Sequence, residues 1–324
     1  MKKKLSVFVS CFTIFILTFT NIACKPASTA PLSKTGFYFD TVITVTLYSP
    51  VDEDLLDSCL ELAASYEMLL SRTKEGSDID RINHAAGAPT EVSPETVELL
   101  SAALSYARLT NGKTDPTIGA VSELWDFHKE SEPVPPADAD IQAALSHVNY
   151  QTVKISGNVV TLSDPEAKLD LGFIAKGFIA DKMKEYLLSK GVQSALINLG
   201  GNVLTIGSKP DGSAFTIGIQ EPFAQTGTAV TTVSVRDTSV VSSGVYERCF
   251  EYNGKLYHHI LDTATGYPVE NDLLAVSILS ETSTEGDALS TACLLLGYEE
   301  AQTFLDTLEG VDALFITSDG TLHN

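Results

Sequence analysis

The chain has 324 residues, 44% of them hydrophobic, and 42 acidic against 21 basic side chains for a formal charge of −21. This length allows one large domain or two small ones with a sizeable core. The acidic excess excludes nucleic acid as a partner held by bulk charge, and any phosphate site must rely on local cations.

The N-terminus has the pattern of an export signal. Lys2, Lys3 and Lys4 precede an apolar run over 5–20 that is short for a membrane span. Ile22-Ala23-Cys24 follows as a lipoprotein cleavage box, although Asn21 stands where an aliphatic residue is usual. Cleavage there makes Cys24 the lipidated first residue. Residues 24–35, rich in Pro, Ser, Thr and Ala, then form a flexible tether. Cys59, Cys249 and Cys293 remain without CxxC spacing, which argues against a zinc site. They are three free thiols, or one bridge and one thiol.

Residues 36–48 alternate as a β-strand, and 52–70 space Leu55, Leu56, Cys59, Leu62, Ala63, Tyr66 and Leu70 as a helical stripe. Ser93-Pro94-Glu95 opens a further helix that Asn111-Gly112 stops. Helices are expected over 118–127 and 137–145, and two or three short strands over 153–169. The amphipathic stretch 174–190 is helical and Gly191 ends it. Strands follow at 195–199, 203–206, 215–219, 229–235 and 240–242. Asn253-Gly254 marks a hairpin. A strand at 274–279, helices at 285–296 and 298–308 and a strand at 313–317 complete the chain. Strands that follow strands through short turns predict an α+β fold with mixed, mostly antiparallel sheets and packed helices.

Several patches can carry chemistry. Asp287 and Thr291 stand four apart at the start of an apolar helix, so two hard oxygens share one face, as a Mg²⁺ site requires. Lys176-Gly177 opens a helix, where an ammonium and free backbone N–H groups can hold an anion. Asp170 lies between Leu169 and Leu171, as a turn residue or a ligand acceptor. Gly200-Gly201 permits a tight turn or the close approach of a ligand. Neither GxGxxG nor a Walker P-loop is present. His258 and His259 are adjacent on a strand, so at most one of them faces any given site as a general base. Gly112-Lys-Thr-Asp115-Pro116 also reads as a simple turn.

Taken in order, these patches resemble the ApbE family of FAD:protein FMN transferases over residues 36–324. The matching pieces are Ser71-Arg-Thr with 77–83, Gly112 to Pro116, Asp170 to Gly177, Asn198 to Asn202, Ser243-Gly244, His259-Ile-Leu-Asp262 with Thr265-Gly266, and Asp287 to Thr291. The resemblance implies a single catalytic domain of the T-fold-related ApbE type. It implies Mg²⁺ as cofactor, FAD as substrate and a flavoprotein of an electron-transfer system as acceptor. A threonine of that acceptor takes FMN while AMP leaves.

By the family's pattern Asp287, Thr291 and the Phe173 carbonyl hold the metal, and His259 is the base. Phe39, Lys113, Thr114, Asp115, Asp170, Lys176 and the Leu261 backbone contact FAD. The chain departs from the pattern in Phe39-Asp40-Thr41 (usually Met-Gly-Thr), in Thr73 for an aromatic and in Thr263 for a proline. Two other activities stay open at this point: an FAD pyrophosphatase giving FMN and AMP, and a non-catalytic flavin-binding lipoprotein. The leader implies export, with lipid anchorage to the outer face of the cytoplasmic membrane or on the periplasmic side.

Overall fold

The structure, a computed structural model, describes residues 30–48, 53–125, 127 and 133–324. The leader and Cys24 lie outside these residues. The first strand, β1 (Leu32–Tyr38), begins inside the stretch read as tether and shortens it at its C-terminal end. It pairs with β2 (Thr41–Leu47) as a hairpin, where the alternation had suggested one continuous strand over 36–48. No Gly or Pro announces the turn. Phe39 and Asp40 both take left-handed backbone, φ 53° and 54°, as a two-residue hairpin of this twist requires. Such a conformation costs a non-glycine residue roughly 1–2 kcal/mol. The Phe39 N–H donates to Glu67 Oε1 at 2.6 Å, which offsets part of that cost.

Next come α1 (Asp54–Leu70), α2 (Asp78–His84), the short β3 (Thr90–Glu91) and α3 (Pro94–Leu109). Helix α2 was not anticipated; it has only about two turns and is capped by the Ser77 hydroxyl, which accepts the Asp80 N–H at 2.9 Å. Then follow α4 (Gly119–Trp125), α5 (Asp138–Leu145), β4 (Val153–Ser156), β5 (Val159–Leu162) and α6 (Ala175–Ser189). The C-terminal half begins with β6 (Ser194–Leu199), β7 (Asn202–Gly207), β8 (Phe215–Gln220), β9 (Ala229–Val235) and β10 (Ser239–Gly244). It ends with β11 (Cys249–Tyr252), β12 (Lys255–His258), β13 (Leu273–Ser280), α7 (Ser283–Leu296), α8 (Tyr298–Leu305), β14 (Asp312–Thr317) and β15 (Leu322–His323).

Eight strands form one sheet in the order β1-β2-β6-β7-β10-β13-β14-β15, every neighbour antiparallel. This is the expected α+β class. Period-two alternation sorts the sheet residues. Ile43, Val45, Ile197 and Leu204 face one side and pack on Leu56, Cys59, Ile179 and Met183 of α1 and α6. On the same side Val276 and Ile278 pack on Leu289 and Cys293 of α7. The other side is covered by the β8–β9 hairpin through Phe215, Ile217 and Val235. Cys59, Cys249 and Cys293 are three free thiols.

Helix α7 is buried on nearly all its faces. Its junction with α6 leaves no space at Gly177, where a Cβ would collide with the Ser283 carbonyl and stand 2.8 Å from the Asp287 Cβ. Gly177→Ala is therefore expected to separate the two helices and to lower stability by about 3 kcal/mol. Denaturant unfolding checks this, and an unchanged midpoint would contradict the close approach.

Candidate active site

The α6–α7 junction forms one wall of a cavity of about 960 Å³. The β1–β2 turn, the loop after α3, the β8–β9 turn and the 246–263 segment complete it. Of the residues singled out from sequence, Phe39, Lys113, Thr114, Asp115, Asp170, Phe173, Lys176, His259, Leu261 and Thr291 line this cavity. Asp287 lies directly beneath the wall and is 1% exposed.

A buried carboxylate needs partners. Asp287 Oδ2 accepts the Gly177 N–H at 2.9 Å and its Oδ1 lies 3.1 Å from Lys176 Nζ. The start of α6 therefore differs from the anion cradle expected of it. The amides of Ala175, Gly177 and Phe178 already donate to Leu171 O, Asp287 Oδ2 and Ile174 O, so these three are not free for an anion. Asp181 of α6 fastens the first turn of α7 from the other side, accepting the N–H groups of Ser283 and Thr284 at 2.7 and 2.8 Å. Burial pushes its carboxyl up, and those hydrogen bonds oppose the shift. Thr291, one helical turn beyond Asp287, reaches the cavity.

Asp170 Oδ2 accepts the Ser122 hydroxyl at 2.8 Å and pairs with Arg72 Nε at 3.1 Å, while its Oδ1 accepts the Gly172 N–H at 2.9 Å. Asp115 turns inward. Its carboxylate accepts the Thr117 N–H and hydroxyl and the Tyr150 N–H, so it organises the loop beneath the cavity. Burial raises its pKa above the ordinary value. Lys113 Nζ stands 3.5 Å from Asp262 Oδ2, and Trp125 donates to the Gly266 carbonyl at 2.8 Å. These contacts join the loop after α3 to the segment that carries His259. Gly200 has no room for a side chain, because a Cβ there would collide with the Thr41 hydroxyl.

The two histidines divide as strand geometry dictates. His258 is 6% exposed and its Nε2 is 3.0 Å from the Val269 carbonyl, a structural role. His259 faces the cavity, and its Nδ1 is buried without a partner. Burial, reinforced by the charges of Arg248, His258 and Lys176, pushes its pKa down to about 3. The imidazole is therefore neutral at physiological pH.

Sequence reasoning did not assign roles to Arg72, Ser122, Tyr246, Glu247 and Arg248, which also line the cavity. The one available signal was proximity, since Tyr246-Glu247-Arg248 follows Ser243-Gly244 after a single residue, Val245. The Glu247 side chain is exposed in the cavity lining, and crowding by the surrounding protein still raises its carboxyl pKa; Lys176 and Arg248 oppose the shift and Asp287 adds to it.

Oxygen donors of α7, a cation at the start of α6 and a neutral imidazole stand around one cavity. The fold around it is an antiparallel α+β sheet layered with helices. The ApbE family profile matches residues 39–315, and the chain belongs to that family. It is 38% identical to an FAD:protein FMN transferase of Treponema pallidum (strain Nichols) over 307 residues, which is 89% of this chain and 84% of that one. It is 39% identical to an FAD:protein FMN transferase of Klebsiella pneumoniae (strain 342), covering 86% of each chain. Among solved structures, the ApbE protein of Thermotoga maritima superposes with a TM-score of 0.84 at 30% identity, covering 91% of this chain and 96% of that one. The flavin transferase ApbE of Vibrio cholerae superposes with a TM-score of 0.80 at 25% identity, covering 90% and 96%.

Proposed function

We propose that this chain transfers FMN from FAD to a threonine hydroxyl of a partner flavoprotein and releases AMP. One observation carries the reading. The neutral His259 imidazole, the Lys176 ammonium and the Thr291 hydroxyl line one cavity, with the Asp287 carboxylate beside Lys176. Mere storage of flavin needs no such combination.

The donor chemistry fits Mg²⁺. Asp287, the Thr291 hydroxyl and the Phe173 carbonyl are hard oxygens, and a small hard cation fills its remaining positions with water and substrate oxygens. No group of three or more His, Cys, Asp or Glu able to hold a metal exists among the described residues, so a softer ion lacks a cage. Mg²⁺ bound there would neutralise charge on a diphosphate and on the departing adenylate. In this reading Lys176 orients the diphosphate. His259 takes the proton as the threonine oxygen bonds to the flavin-side phosphorus. The bond to the bridging oxygen breaks, and that oxygen leaves with AMP.

Co-expression with candidate acceptor flavoprotein domains, followed by intact mass and peptide mapping, tests the proposal. A domain that gains FMN on threonine supports it. Free FMN and AMP with no labelled domain would overturn transfer in favour of hydrolysis.

We also propose that the protein is exported and held at the membrane through lipid on Cys24. The support is the leader Lys2–Lys4, the apolar run and the Ile22-Ala23-Cys24 box. Among the described residues no helix is long and apolar enough to cross a membrane. Cys24→Ala should release the protein from the membrane fraction; retention there would remove the lipid anchor.

A further inference from the structure

Two charged side chains of the cavity have no work in the mechanism above. Glu247 and Arg248 follow β10 after a short turn and line the cavity side by side in sequence. Among the described residues neither the carboxylate nor the guanidinium has a hydrogen-bond or ion-pair partner. Glu247 is exposed and Arg248 partly buried, so both are open to a ligand that enters the cavity.

Their position narrows what that ligand can be. Cys249 pairs with His258 across the β11–β12 ladder, and the His259 N–H donates to the Arg248 carbonyl at 3.1 Å. Arg248 and His259 are thus neighbours across the hairpin, and residues facing each other in this way share a side. Whatever the guanidinium binds must arrive beside the imidazole that receives the hydroxyl proton. A diphosphate is a poor occupant, because the Glu247 carboxylate repels a polyanion once ionised. The diphosphate already has Lys176 and the Mg²⁺ that Asp287 and Thr291 would hold. A polypeptide suits the pair, since its main chain supplies an N–H for the carboxylate and a carbonyl for the planar guanidinium fork.

We infer that Glu247 and Arg248 form the subsite for the acceptor main chain flanking the threonine. This inference rests on the transferase reading. Arg248 takes a carbonyl oxygen of the acceptor and Glu247 takes an amide N–H, so the hydroxyl is delivered to His259 in register.

The test uses the full chain and, as probe, the acceptor domain that gains FMN in the co-expression assay. Arg248→Gln is expected to raise the half-saturating acceptor concentration by about tenfold or more, the worth of one hydrogen bond to a charged group. Glu247→Gln should raise it in the same direction, and Arg248→Lys should fall between, because the charge remains and the fork is lost. The FAD dissociation constant of the Arg248 variants, read by flavin fluorescence without acceptor, should stay within about twofold of the parent, and it also reports that they fold. An unchanged acceptor dependence would overturn the subsite. A loss of FAD affinity equal to the loss in transfer would assign the pair to the diphosphate instead. A parent enzyme that binds FAD and labels no domain would overturn the transferase reading, and this subsite with it.

Discussion

Asp287→Ala is expected to abolish FMN transfer, a loss of about 1,000-fold or more. The carboxylate is 1% exposed, and its two oxygens serve the Gly177 amide and the Lys176 ammonium. It would also be the charged ligand of Mg²⁺. Removing it deletes the negative charge opposite Lys176 and leaves a buried amide without an acceptor. That part is structural and should cost about 3 kcal/mol of stability. Asp287→Asn separates the two effects, because an amide oxygen still accepts the Gly177 N–H while the charge is gone. The Asn variant should keep most of the fold, measured by denaturant unfolding, and should lose the Mg²⁺ dependence of FAD binding. Full activity in either variant, or full activity of chelator-treated parent enzyme, would remove the metal from the reaction.

His259→Ala has the second-largest expected effect. Loss of a general base costs between about 100-fold and 10,000-fold in turnover, with FAD affinity largely retained. The pH behaviour adds a separate check. Burial holds the folded-state pKa near 3, whereas the unfolded imidazole titrates near 6.5. A lowered histidine pKa contributes stability that is present in full above about 6.5 and lost as pH falls toward 3. The parent should therefore lose stability over that window more steeply than His259→Ala. Its turnover should show no acid limb at the ordinary histidine value. Identical acid profiles of parent and variant would show that His259 does not titrate as a buried neutral base.

The two variants read different halves of the site. Asp287 belongs to a helix core, and its loss is felt in stability and in phosphate chemistry together. His259 stands at the cavity surface with an unpartnered Nδ1, so its loss should be felt in proton transfer with little change in packing. A parent that turns FAD over with water in place of threonine would respond to both variants in the same way. The labelled acceptor is what separates transfer from hydrolysis.

The leucine and alanine spacing of 54–70, the Ser-Pro-Glu start at 93–95 and the alternation in 194–206 were sufficient to locate their elements. Local periodicity reports which face of an element will be buried. The β1–β2 turn escaped notice because its two left-handed residues are Phe39 and Asp40, and the conformation is held by Glu67, 28 residues away. Helix α2 escaped because seven residues are too few to show a period.

By itself the sequence determined the α+β class, the ordered motifs and, through them, membership in the ApbE family. Residue type and spacing are local properties, and they are written directly in the chain. Only the tertiary structure decided which of the two histidines meets the cavity, that the Asp115 carboxylate turns inward and that the Gly177 amide is spent on Asp287. It also decided that the Glu247 and Arg248 side chains line the cavity near His259 without a hydrogen-bond or ion-pair partner among the described residues. Each of these depends on contacts between segments from 35 to more than 100 residues apart, or on which side of a strand a residue faces once the sheet is assembled. Charges and hydrogen bonds acquire their strength from burial, and burial exists only when those segments have come together.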